Sequence, residues 1–414
     1  MNSKESSALP LQELSAPYSE KSSPPRYRWA VLFVVWGAFL LSYVDRVAWS
    51  SVAAPVGHTL GISVSMLGAF VTAFYIGYVV ANVVGGILTD TFGGRLTLTL
   101  ALIPLGLATF SFSLTESLSM GIGIQFVMGL FAGADYSAGV KILTAWFGKE
   151  RGKAMGIYTT ATSLAVVIAN ATVPAISISF GWETAFRLLG GLTFSWAIVS
   201  YIVVRDTPGA QAASARIGKQ QIVLLLKNRN LILLSIAGCG ALWGTVGFGA
   251  WSNALMTRQY GISPVTAGAI AAWFGCGAVI AKPLLGWLSD VRKGGSRLFG
   301  IACLVGFGVL LMVFGQASTE TQFYMIAPFL GATAFGYTPL LIAMITEVSG
   351  NQVAGAASGL TNAIWQLGSA ISPIVVGHVY GVTHSFVDAL AVLAAGPLLG
   401  AVTLLFLKLR VSST

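Results

Sequence analysis

Apolar residues in this chain come in long blocks, interrupted by a few polar or charged positions at a time. The blocks fall at 29–56, 63–89, 96–114, 119–147, 153–180 and 184–204, and again at 231–256, 264–289, 297–317, 321–348, 353–381 and 385–407. A helix needs about 20 apolar residues to cross the hydrocarbon core of a bilayer, and each block is of that order. The pattern predicts an all-α membrane protein of twelve transmembrane helices in two six-helix halves.

The interruptions divide the chain into a polar stretch over 1–28, a six-helix bundle over 29–204, a polar linker over 205–230 and a second six-helix bundle over 231–410. Residues 1–28 are rich in Ser, Pro and Glu and end in Arg26 and Arg28, just before an apolar run too long for a signal peptide. A retained, disordered cytoplasmic tail is expected. The linker carries Arg205, Arg216, Lys219, Lys227 and Arg229. With the amino terminus in the cytoplasm, 18 of the 23 Lys and Arg fall on that side, and the opposite loops hold only Arg258, with Arg187 near the start of the sixth helix. The positive-inside rule then places both termini in the cytoplasm, with the chain in the inner or plasma membrane.

An internal repeat supports the six-plus-six reading. Residues 61–94 match 261–294 without gaps at 13 of 34 positions, and Gly152, Ala154 and Gly156 recur as Gly355, Ala357 and Gly359. Two halves descended from one six-helix unit predict pseudo-symmetry, with a substrate site at the repeat interface near the bilayer midplane.

Composition changes this picture by what it removes. Hydrophobic residues make up 55% of the 414 and charged ones 9%, with a mean hydropathy of +0.80. A soluble domain carries about 25% charged residues, so a soluble enzyme is excluded. The net charge of +9 would suggest nucleic acid in a soluble protein, but here the cations follow the loops and no nucleic-acid partner is expected. Cys239, Cys276 and Cys303 are odd in number and lie in apolar stretches, which implies neither disulfides nor a metal site. The motifs of phosphate-binding loops, dinucleotide folds, nucleophile elbows and zinc proteases do not occur, so neither an ATP-driven pump nor an enzyme is expected, and no cofactor.

The best-matched part of the repeat is the turn after the second and eighth helices. Gly86, Leu88, Asp90, Gly93 and Arg95 are echoed by Gly286, Leu288, Asp290, Gly294 and Arg297. This resembles the signature loop of the major facilitator superfamily. Its glycines let helix ends approach, and its charges can pair with each other or with helix dipoles, so Asp90, Arg95, Asp290 and Arg297 are expected to gate the cytoplasmic side.

Further segments narrow the resemblance. Tyr43-Val44-Asp45-Arg46 is similar to a motif of the anion:cation symporter family, which includes transporters of sugar acids and related organic anions. Tyr78, Trp146-Phe147 with Glu150-Arg151-Gly152, Gly181-Trp182 with Phe186, and Asn362, Gln366 and Pro373 extend it. The resemblance implies that Tyr43, Tyr78, Asn362 and Gln366 face substrate. The fourth helix departs from the family: Gln125 stands where relatives often have an arginine, and Ala132 where they often have the acid tied to proton coupling. Asp135, one turn on along much the same face, is expected to take over that role.

Ionisable groups inside apolar helices cost about 2.5–3.5 kcal/mol on insertion scales, which marks them as functional candidates. Asp45 and Arg46 are adjacent and so about 100° apart on their helix; one faces the cavity while the other reaches a neighbouring helix. Arg46 and Lys282, one from each half, are expected to bind a substrate carboxylate, and Asp45 or Asp135 to carry the proton. Lys141 lies closer to the cytoplasm and can snorkel. Ser42, Trp49, Trp243, Asn253, Trp273, Tyr337 and Trp365 are expected around the same cavity.

The sequence therefore predicts a monomeric secondary transporter in the lipid bilayer that moves a small organic anion with protons, or with sodium. A proton-driven exporter of amphipathic drugs is the alternative, although the fifth helix has Val173-Pro174 where such exporters carry a glycine-proline pair.

Overall fold

The computed structural model of the chain describes residues 26–147, 151–205, 224–291, 295–349 and 354–408. Most of the expected tail and the centre of the expected linker lie outside these residues. Among the described residues the chain is helical and no strand occurs.

Twelve long helices follow one another: α1 (Tyr27–Thr59), α2 (Val64–Phe92), α3 (Gly94–Phe112), α4 (Leu118–Phe147), α5 (Arg151–Phe180), α6 (Trp182–Val203), α7 (Arg229–Tyr260), α8 (Pro264–Val291), α9 (Gly295–Gln316), α10 (Glu320–Ser349), α11 (Ala354–Thr383) and α12 (Phe386–Leu405). Among the described residues ten are long and apolar enough to cross a membrane. The apolar stretch of α2 is the shorter Met66–Asn82. Helix α11 is not among the ten, because Ser358, Thr361, Asn362, Gln366, Ser369 and Ser372 dilute it. The helix ends are set by local chemistry. Asn228 starts α7, its side chain accepting from the main-chain N–H of Asn230 and Leu231 at 3.0 and 3.3 Å. Gly61 and Gly261, repeat mates, stop α1 and α7 with φ of 64° and 65°, a left-handed turn that favours glycine.

Packing repeats as the sequence does. Helix α2 packs on α4 and α8 on α10; α3 on α6 and α9 on α12; α5 on α1 and α11 on α7. The two sets of six meet through α2 on α11, its mate α5 on α8, and α1 on α7. Residues near the two termini share one end of the molecule: Tyr27 donates to the Val203 carbonyl at 2.6 Å, and Asn230 to the Lys408 carbonyl at 2.8 Å. Trp146 caps the Arg205 carbonyl at 2.9 Å there, and Arg205 lies over the Tyr27 ring. Such a cation-aromatic girdle is what a lipid headgroup region selects.

At the other end the two sets touch closely. Gly68 of α2 abuts the main chain at Pro373 of α11, and its repeat mate Gly268 of α8 abuts the Asn170 carbonyl of α5. A side chain at either position would overlap backbone, so glycine is what permits the approach. Thr72 donates to the Ala370 carbonyl at 2.7 Å, and Asn253 to the Asn170 side-chain oxygen at 2.8 Å, both across the same junction.

Candidate functional site

Between the two sets, midway along the helices, lies a cavity walled by α1, α2, α4 and α5 on one side and by α7, α8 and α10 on the other. Its cation is Arg46. The guanidinium stands 4.6 Å from the ring centroid of Tyr43, 5.2 Å from Phe74, 5.6 Å from Tyr75 and 4.3 Å from Tyr78. Residues 74, 75 and 78 share a face of α2, and Tyr43 is one turn before Arg46 on α1, so two helices build the cage. The rings stabilise the cation electrostatically without neutralising it. Its Nε has no hydrogen-bond partner, and among the described residues no carboxylate forms a salt bridge with it.

Asp45, the next residue along α1, points the other way. One of its oxygens accepts from Thr109 of α3 at 3.2 Å and from Thr193 of α6 at 2.8 Å; the other has no partner. Asp135 is fully buried, and neither of its oxygens accepts a hydrogen bond. Ser42 and Arg46 of α1 and Tyr158 of α5 are its neighbours, and the Tyr158 hydroxyl also lacks a partner. The two acids thus meet different partners, Asp45 the threonines of α3 and α6 and Asp135 the Ser42 and Arg46 side chains of α1.

Lys282 donates to the Thr162 hydroxyl at 2.7 Å, a bond from one helix set to the other, and sits 5.0 Å from the Phe335 ring. Phe335 lines the cavity; Lys282 does not belong to the lining. Tyr43 is in the lining and Tyr78 stands behind Arg46. On α11, Asn362 is half-buried, while Gln366 is buried with its side-chain oxygen unpaired; neither belongs to the lining. Trp49 lines the cavity, stacked on Phe70.

Three tryptophans expected around the cavity are elsewhere. Trp243 donates to the Val392 carbonyl at 3.0 Å and Trp365 to the Leu234 carbonyl at 3.0 Å, each pinning neighbouring helices of the second set. Trp273 is 53% exposed on the outer surface. Tyr337 is buried beside Thr245, and Asn253 belongs to the junction beyond the cavity. In helices apolar on every side, the sequence gives no azimuth for a tryptophan. The lining residues Tyr75, Phe74 and Asn170 were not singled out by the sequence; three aromatics within Phe74–Tyr78, a single turn of α2, were the available signal.

At the terminal end, Arg95 donates to the Tyr201 carbonyl at 3.0 Å and lies 4.3 Å from the Tyr201 ring centroid. Arg297 donates to the Leu404 and Leu405 carbonyls at 3.0 and 2.6 Å. Each arginine of the repeated loop therefore caps the last helix of its own half, where free carbonyls and the helix dipole favour a cation. Lys141 does the same for α2, donating to the Thr89 carbonyl at 2.9 Å. The side chains of Asp90 and Asp290 lie outside the described residues.

The chain matches the profile of the Major Facilitator Superfamily over residues 34–373 and again over 234–413. It belongs to that superfamily. The second match begins inside the seventh helix. Among similar superfamily proteins, the D-galactonate transporter of Escherichia coli O6:H1 is 24% identical, over 93% of this chain and 96% of the relative. The probable galactarate/D-glucarate transporter GudP of Bacillus subtilis is 25% identical, over 94% of this chain and 93% of the relative. The fold is also that of a bacterial homolog of the human lysosomal transporter Spinster, solved inward-facing and unoccupied, with a TM-score of 0.72, 16% identity, and coverage of 93% of this chain and 95% of that one. The chain is a multi-pass membrane transporter of the superfamily and not an enzyme.

Proposed function

We propose that this transporter moves a small organic anion, a carboxylate or sugar acid, together with a proton by alternating access. It does so as a monomer with twelve spans, in the cytoplasmic membrane, with both termini in the cytoplasm and six-helix units over 29–204 and 231–410. The observation that carries the reading is Arg46: a cation in a central cavity, held by four aromatic rings and paired with no carboxylate among the described residues. A desolvated cation of this kind favours an anion that brings the missing charge. The names of the galactonate and galactarate/glucarate relatives support the same substrate class.

Tyr43 and Tyr78 flank the carboxylate position, and Lys282 adds positive potential from the opposite half, reaching the anion once its bond to Thr162 is released. Asn362 and Gln366 complete the site from α11 as the halves rock. Asp135 and Asp45 are the candidate proton carriers. Asp90, Arg95, Asp290 and Arg297 hold the cytoplasmic gate, Arg95 and Arg297 by fixing the last helix of each half. The close junction at Gly68 and Gly268, opposite the terminal end, is the arrangement expected when the cavity opens to the cytoplasm.

The test is counterflow of labelled carboxylates in proteoliposomes carrying the full chain. Carboxylate exchange that disappears in Arg46→Ala is the expected result. Transport of cationic dyes with no response to any carboxylate would replace this reading by that of a drug exporter.

A further inference from the structure

The two walls of the cavity differ in chemistry, and the difference bears on which anion fits. The wall from α1, α2 and α4 holds Arg46 with the Tyr43 and Tyr75 rings against it, and Gln125. The wall from α7, α8 and α10 is made of Val246, Phe248, Ala271, Phe274 and Phe335, with Ser252 beside them. Its rings form a continuous surface: the centroid of Phe274 lies 4.9 Å from that of Phe248 and 5.6 Å from that of Phe335. The Lys282 ammonium, which is not in the lining, lies 5.0 Å from the centroid of Phe335.

Three other polar groups of the lining are committed to protein partners. Ser50 donates to the Val47 carbonyl at 2.9 Å, and Thr245 shares its hydroxyl proton between the Ala241 and Ala334 carbonyls at 3.0 and 2.9 Å. Asn170 donates to the Val166 carbonyl at 2.9 Å and accepts from Asn253 at 2.8 Å. Outside the arginine-tyrosine cluster, Trp49, Gln125 and Ser252 are the polar lining side chains that take up no protein hydrogen bond among the described residues.

A sugar acid carries a hydroxyl on nearly every carbon. Its carboxylate can take Arg46, but the hydroxyls turned toward Phe248, Phe274 and Phe335 find no partner on those rings, and each hydroxyl buried without a partner weakens binding on the order of tenfold. An aromatic monocarboxylate has the complementary profile. Its charge meets Arg46, and its flat body lies against Phe248, Phe274 and Phe335, where edge and offset ring contacts are favourable. We infer that the substrate of this transporter is an aromatic monocarboxylate, selected over polyhydroxylated acids by the phenylalanine wall of the second half. The inference rests on the reading of Arg46 as the carboxylate receptor.

The experiment is uptake of labelled benzoate into proteoliposomes carrying the full chain, with unlabelled D-gluconate, benzamide and a cationic dye as competitors. Benzoate is taken up; D-gluconate competes at least about tenfold more weakly than unlabelled benzoate. Benzamide, the neutral isostere, fails to compete. Phe274→Leu and Phe335→Leu, which keep an apolar side chain and remove the ring, each weaken benzoate roughly three- to tenfold more than they weaken D-gluconate. The ratio of the two affinities does not depend on how much protein folds. D-gluconate binding more tightly than benzoate, with loss in Arg46→Ala, overturns the aromatic assignment while leaving the anion reading intact. Transport of the dye with no effect of either carboxylate overturns both.

Discussion

At the scale of single residues, adjacent side chains of one helix have divided the work between two surfaces. The 100° step between Asp45 and Arg46 sends the acid to threonines of α3 and α6 and the base into the cavity. That split was legible in the sequence, because two opposite charges side by side on a helix cannot share a face. Which of them would face the cavity was not, since α1 is apolar all round and the threonines that take Asp45 lie 64 and 148 residues away. The cage makes Arg46 more than a point charge. A planar guanidinium stacks on rings, and an ammonium offers neither the plane nor the fork. Arg46→Ala should therefore weaken binding of benzoate and D-gluconate alike by on the order of 100-fold or more, the cost of leaving a desolvated carboxylate unpaired. Arg46→Lys should recover part of the loss without restoring wild-type affinity. Isothermal titration of the purified variants checks both, and equal affinities in Arg46→Lys and wild type would show that the cage contributes nothing.

At the scale of helices, the repeat accounts for both the architecture and the junction. The mates Gly68 and Gly268 meet the mates Pro373 and Asn170 in the same way, so a sequence identity at an offset of 200 has become two related helix crossings. The sequence displayed the glycines but not their partners, because α11 and α5 match only faintly and the contact depends on backbone approach rather than on side-chain type. A bulky residue there would have to part the helices. Overpacking costs about 1–3 kcal/mol, which converts to roughly a 5- to 150-fold change in the balance between a state where the helices touch and one where they do not. Gly268→Val and Gly68→Val should each shift the population toward separation at this end. Spin labels on the far ends of α2 and α11, and of α5 and α8, should report longer distances in both variants; unchanged distributions would mean that the junction does not open during transport.

At the scale of the whole molecule, the proposed proton coupling needs an acid tied to the proposed rocking of the halves, and the surroundings of the two acids differ. Asp45 is held by two hydroxyl donors on its side of the bundle, which an asparagine oxygen can equally accept. Asp135 is buried with no hydrogen bond to either oxygen and has Arg46 as a neighbour. An ionised Asp135 competes with substrate for the field of Arg46, and a protonated one releases that cation to the anion, so binding of proton and of substrate favour each other. Removing the charge permanently should leave binding and exchange intact while cutting the link to the proton. Asp135→Asn is therefore expected to keep counterflow and lose uptake driven by a pH gradient, whereas Asp45→Asn should keep both. Measuring the two modes side by side with benzoate, under a proton gradient and then a sodium gradient, checks the assignment. Gradient-driven uptake intact in Asp135→Asn and lost in Asp45→Asn would move the coupling role to Asp45, and uptake answering only to sodium in the wild type would remove the proton from the scheme.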